Sequence, residues 1–398
     1  DNTINLYDNI QLTNAGSIDI GTGTKIADGK LIIGQNTLTG NAAAVIGGYQ
    51  NTASGFNSVV IGGGFYNGGS GQYASAQNVA SGDGSVILSG VFNTTTTGAR
   101  SSVIVGGYQN KTSDYYSAAI GGSNNTASAW ESVTIGGYGN IAAGDNSVTV
   151  GGERNKTSGY YSAVLGGRYN EATKSYSTAI GGLDNTAAQQ YSVVIGGGYQ
   201  YWDSSVGKTI IVSGDNVTNG YGSLILGGAE NVTTAAANNS VVVGGDHNTT
   251  SADSAVAVGG AYNTASGDNS AAFGGNGNEA SGAGSATVGG YENVAKGKNS
   301  AAFGGNENEA IGDVSVTIGG YGNTASGDRA VTIGGQGNIA GDYSVTLGGL
   351  ANTASGEVSV TLNGFGNTAD GIGSSVLGGG YFDRNDMTAI YGENVANG

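Results

Sequence analysis

A Gly-Gly pair preceded by an aliphatic residue returns about every fifteen residues along nearly the whole chain. Its first glycine stands at Gly47, Gly62, Gly106, Gly121 and so on to Gly196, then from Gly227 and Gly244 to Gly348 and Gly378. Ser89, Ser213 and Asn363 fill the same slot in VILSG, IIVSG and VTLNG, and Gly34 in LIIGQ reads as a degenerate opening member, for about twenty-three turns. A period this short and regular belongs to a solenoid, in which each repeat is one structural unit stacked on the next.

Each repeat reads as two short extended pieces and two corners. In NSVTVGG, Val148 and Val150 alternate with Ser147 and Thr149, the period of two that marks a strand. The second piece is NTASG or a variant, as at 51–55 and 263–267. Gly-Gly supplies a permissive backbone at one corner, and Gly144 with Asp145 supplies it at the other. So small a coil is expected to enclose one Val/Ile/Leu row and one Ala row. The opposite strand face then carries small residues (Ala119, Thr134, Thr149, Ala179, Thr317, Thr332), with Val164 and Val194 as exceptions, and forms a flat ribbon suited to self-association. At about 4.8 Å per coil the stack reaches roughly 110 Å. An Asn four residues after the first Gly, as at Asn110, Asn140, Asn293 and Asn323, fits a tight left-handed corner and can stack as an amide ladder.

Composition agrees with a thin interior: 79 of 398 residues are Gly, Pro and Cys are absent, and there are 7 Phe, 2 Trp and 1 Met. Without Cys, disulfide and thiolate chemistry are excluded. Collagen needs Gly at every third position with abundant Pro. Missing prolines fit a stack in which nearly every amide is needed for hydrogen bonds. A net charge of −16 argues against nucleic acid, and no apolar run is long enough to span a bilayer as a helix. The first residues do not read as a signal peptide. Residues 1–33 alternate weakly and are expected to cap the first coil. Residues 34–379 carry the repeats, with insertions near 64–85 and 198–210, and 380–398 is an exit segment that has left the repeat.

The phased units NSVVIGG…NTASG and YSAVLGG…NEA resemble the head repeats of trimeric autotransporter adhesins, the YadA-like class. The resemblance implies an all-β, left-handed parallel β-roll of about 15-residue coils, three chains around one axis, and display on a Gram-negative outer membrane through an anchor absent from this chain. The doubled Gly, the recurrent Asn and the 15-residue period depart from the family pattern.

Catalytic sets are thin. His247, the only imidazole, lies at a polar corner in GGDHNTT and reads as solvated surface rather than part of a triad. GGGFYNGG lacks the Lys and the following helix of a phosphate loop. Asp145, Asp268, Asp313, Asp328 and Asp342 recur at one corner and read as an acidic edge in preference to a divalent-cation site. No enzyme activity, cofactor or metal is expected.

Binding is the expected activity. Tyr161, Tyr176 and Tyr191 fall in one phase on successive coils and are expected to form an aromatic stripe ending near Trp202, which lies close to Tyr199 and Tyr201; Phe65 and Tyr66 lie in the first insertion. Aromatic surface with hydroxyl tips suits protein and glycan partners, and the same stripe would also stabilise a sheet edge. Lys and Arg gather in the first half (Arg100, Lys111, Arg154, Lys156, Arg168, Lys174), and none occurs between Lys208 and Lys296. The leading expectation is a homotrimeric, non-enzymatic surface adhesin head that binds a host-cell glycoprotein receptor or extracellular-matrix protein. A bacteriophage tail-fibre segment binding a glycan is the alternative. An ice-binding array is disfavoured because Ile141, Lys156, Glu171 and Val232 interrupt its Thr phase.

Overall fold

A computed structural model describes residues 36–63, 77–198, 214–379 and 394–397, together with the strand backbones at 18–19, 24–27, 30–33, 65–67, 72–74, 199–203, 208–212, 381–383 and 388–390. Cα packing divides the chain into two units, Asp1–Ala172 and Thr173–Gly398. Both are all-β, and no helix occurs among the described residues. Each unit is a parallel β-solenoid, with eight coils in the first and thirteen in the second, about 21 in all. One coil contributes a three-residue strand such as Val148–Val150 and a two-residue strand such as Ile141–Ala142. Long strands pair only with long and short with short, in register: Val133 with Val148, Ile141 with Lys156.

Main-chain amides link the rungs at the corners as well as along the strands. Ile141, Ala143 and Val148 donate forward to carbonyls of the next coil at 2.8–3.0 Å, while Gly151 and Arg154 donate back to the preceding one at 2.7 and 2.8 Å. That accounts for a chain without proline.

Which face of the long strand is inside differs from the sequence expectation. Ala119, Thr134, Thr149, Val164, Ala179, Val194, Thr317 and Thr332 are fully buried. The Val/Ile/Leu residues on either side of them point out, half-buried at the first strand position and about two-fifths exposed at the third in most coils. The reason is space. Each coil encloses only about four side chains, Asn140, Ala142, Ser147 and Thr149 in one of them. An interior that narrow favours small residues, although it encloses Val or Ile in some coils, as at Val60, Ile87, Ile104 and Ile225. The expected Ala row is inside, as Ala142, Ala172, Ala187 and Ala325 show.

The Gly-Gly corner is left-handed as expected (Gly151 63°, Gly152 74°), but the Asn after it is not. Positive φ also falls on the residue before the Asn (Arg154 54°, Tyr169 57°, His247 55°) and, at the other corner, on the one before Ser (Asn146 57°, Tyr161 53°). Gly144 needs no such φ; a Cβ there would lie 2.0 Å from the Gly159 carbonyl oxygen, so closeness of the next coil selects glycine. The buried Asn side chains form the expected ladder. Asn155 N–H donates to Asn140 Oδ1 (2.9 Å), and Asn155 Nδ2 donates to the carbonyls of Gly151 and Gly167 (both 3.1 Å).

Two of the twenty-three expected turns are something else. Lys30–Ile33, ahead of Gly34, pairs antiparallel with Thr24–Ala27, itself antiparallel to Ile18–Asp19, and touches the solenoid through the Ile32–Val45 pair. Lys208–Val212, ahead of Ser213, is the return strand of a hairpin with Tyr199–Asp203. Similar hairpins pair Phe65–Asn67 with Gln72–Ala74 and Tyr381–Asp383 with Thr388–Ile390. All three follow a triple glycine, at 62–64, 196–198 and 378–380. After the third, the chain rejoins the stack instead of leaving it: Val395–Ala396 pairs in parallel with Thr368–Ala369.

Candidate binding surface

Long strands, corners and short strands present three different surfaces. Every residue at the third position of a long strand is large and apolar, from Ile46 to Leu165 in the first unit and from Ile180 to Leu377 in the second. Ile318 is 41% exposed and Phe303 42%. With the half-buried first position beside it, each coil turns two side chains outward on one flat sheet, apolar in nearly every case. The expected ribbon of small residues is therefore replaced by an apolar one.

Corners before several of the long strands carry tyrosines. In the first unit Tyr161 packs edge-on against Tyr160 (centroids 4.2 Å), both exposed. In the second unit Tyr176 and Tyr191 stack face to face at 5.0 Å and 8°, and Tyr191 meets Tyr221 edge-on at 5.4 Å. Tyr221 was not among the sequence candidates. It stands two residues before Ser223 where Tyr191 stands one before Ser192, so it is out of phase, and a hairpin separates the two in sequence. The fold removes that separation by pairing Val193–Ile195 directly with Leu224–Leu226. Phe65, Tyr66, Tyr199, Tyr201 and Trp202 lie on hairpin strands, and the placement of their side chains is outside the described residues.

The corner after each long strand carries charge. In the first unit the Arg154 guanidinium lies over the rings of Tyr138 (5.9 Å) and Tyr169 (5.6 Å), and Arg168 over Tyr169 (4.8 Å). Arg154 donates to the Tyr169 hydroxyl, which raises its pKa. Glu153 pairs with Arg168 at 3.3 Å and with Arg154 at 4.0 Å. In the second unit Glu279, Glu292, Glu307 and Glu309 line a groove of about 610 Å³ with Val294 and Thr324. Hydrogen bonds to Glu292 and to Glu307 raise the pKa of Tyr291 and of Tyr321, because a carboxylate favours the protonated phenol.

Four of the five corner aspartates and His247 have structural partners. Asp145, Asp313, Asp328 and Asp342 each accept a main-chain amide from the coil before, at 3.2, 2.8, 3.0 and 2.9 Å. His247 stacks on Tyr262 at 4.6 Å, with Nε2 2.6 Å from Glu230 and Nδ1 3.0 Å from Asp246. Among the described residues no group of three His, Asp or Glu is placed to hold a metal ion.

No protein-family model matches this chain, and no curated protein does.

Proposed function

We propose that this chain is the binding head of a non-enzymatic adhesin on a bacterial outer surface, self-associated as a homotrimer, that holds a host-cell glycoprotein or an extracellular-matrix protein. The observation that carries the reading is the unbroken apolar row on the long-strand sheet of each unit, set beside corners that hold aromatic rings in solvent. At roughly 70 Å² apiece, thirteen such side chains expose on the order of 900 Å², more than the few hundred Å² a monomer ordinarily leaves contiguous. Further copies of the chain are the partner a continuous, repeating ribbon fits, because an identical ribbon matches it rung for rung. The resemblance of the repeats to trimeric autotransporter heads supports the same assembly, and a fold built from short loops and a solid interior supports binding over catalysis.

Receptor contact is assigned to Tyr161, Tyr176, Tyr191 and Tyr221 with the aromatic hairpins, because exposed tyrosines held by stacking lose little side-chain entropy on binding. The test is adhesion of the assembled protein to host cells and to immobilised matrix proteins, with Tyr176→Ser, Tyr191→Ser and Tyr221→Ser combined. At least tenfold weaker adhesion is expected, with sedimentation and circular dichroism unchanged. Full adhesion by the variant moves the site off this edge. Failure of the unmodified protein to bind any cell or matrix surface removes the adhesin reading.

A further inference from the structure

Several coil positions that are basic in the first unit are acidic in the second, Glu171 at the head of the first unit's last short strand being the exception. Lys111 and Lys156 head the short strands Lys111–Thr112 and Lys156–Thr157 of the first unit; Glu279 and Glu309 head Glu279–Ala280 and Glu309–Ala310 of the second. At the residue just before the buried Asn, the first unit has Arg154 and the second has Glu292 and Glu307. We propose that this face, separate from the apolar ribbon, is a contact between copies, in which the basic short-strand face of one molecule's first unit docks on the acidic groove of another molecule's second unit.

Local chemistry neutralises both faces only in part, with Glu171 on the rung beside Lys156. Glu292 and Glu307 are one coil apart, about 4.8 Å along the stack. Glu279 and Glu309 flank them on the short strands, and among the described residues the one cation paired to the four is Lys296, 3.8 Å from Glu309. Like charges on neighbouring rungs repel, and a cationic surface relieves that cost. On the other side, one carboxylate, Glu153, serves both Arg154 and Arg168, while Lys111 and Lys156 make no ion pair among the described residues. Tyrosine holds both sets in place: rings of Tyr138 and Tyr169 under the guanidiniums, hydroxyls of Tyr291 and Tyr321 on the carboxylates. A second copy is favoured over an arbitrary cation because its corner charges come on the same rung spacing, although Lys111 and Lys156 are three coils apart and Glu279 and Glu309 two. Arg154 and Arg168 are one coil apart, as are Glu292 and Glu307.

Sedimentation velocity of the full assembled protein in 50 and 500 mM NaCl tests this. Association is expected in low salt, weakened at least tenfold in high salt, since solvent-exposed charge pairs are screened. Two variants give the decisive comparison: Lys111→Glu, Arg154→Glu, Lys156→Glu and Arg168→Glu in one, Glu279→Lys, Glu292→Lys, Glu307→Lys and Glu309→Lys in the other. Each alone is expected to lose the salt-sensitive step, and an equimolar mixture to regain it. If either fourfold variant loses its β-sheet dichroism, Lys156→Glu and Glu309→Lys alone carry the same mixing test. Absence of low-salt association, association indifferent to salt, or a mixture that does not recover overturns the proposal. Self-association through the apolar ribbon is salt-insensitive and stays constant, so failure here leaves that reading standing.

Discussion

A Cβ built on Gly275 would lie 2.3 Å from the Gly290 carbonyl oxygen and 2.4 Å from Asn278 Nδ2, whereas one on Gly274 meets nothing within 4 Å, although both residues have positive φ. The chain already contains the natural experiment: Ser89 (66°) and Asn363 (52°) occupy the first-glycine position, each followed by Gly. Gly274→Asn is therefore expected to cost under about 1 kcal/mol and Gly275→Ala about 3 kcal/mol or more, read by thermal unfolding. Interior hydroxyls divide in the same way. Thr233 Oγ1 bonds Ser223 Oγ at 2.9 Å and accepts from Asn219 N–H at 3.1 Å, while Thr317 Oγ1 is buried without a partner among the described residues, opposite Ala325. Thr317→Val should leave stability within about 0.5 kcal/mol or raise it, and Thr233→Val should lower it by about 1–2 kcal/mol. The small, polar character of these positions was visible in the alternation of the sequence; their facing inward was not, because period two reports two faces without saying which is enclosed.

Coils on either side of a hairpin are direct neighbours, so the hairpin is an excursion from a corner and not a segment of the stack. Removing 199–214 would join Gly196-Gly197-Gly198 to Asp215-Asn216, the same GGxxN spacing as Gly181-Gly182-Leu183-Asp184-Asn185. The excised protein is expected to keep its β-sheet dichroism and to unfold within about 1 kcal/mol of the parent by denaturant titration, since only a loop closure is altered. Loss of cooperative unfolding would mean that the hairpin supports the coils. From sequence the first two insertions are visible as broken spacing, but IIVSG imitates a coil strand, since a hairpin strand and a solenoid strand share one alternation. Pairing partners alone separate them, and those are set by which edge is open when the strand forms.

At the scale of the molecule, the proposed self-association rests on the apolar ribbon. Ile318→Glu with Ile333→Glu places two carboxylates on adjacent rungs of the second unit's ribbon, where desolvation in a contact would be costly. The expected outcome is a smaller particle by sedimentation at equal protein concentration, with unchanged secondary structure. A particle of unchanged mass would move self-association to another face. The sequence placed that face on the small-residue row. In the structure the outward face carries the isoleucine row instead, which supports the proposed self-association, because large apolar side chains in water are more costly than alanine and threonine.

Parallel coils of about fifteen residues, the Gly-Gly corner and the Asn ladder were legible in the residues alone, because each is a local or nearest-neighbour requirement that the repeat states twenty times over. Inside and outside, and the membership of Tyr221 in the stacked edge, came only with the folded chain. Those depend on the distance between strands and on which corners end up adjacent, quantities that closure of the coil sets and that spacing along the chain does not encode.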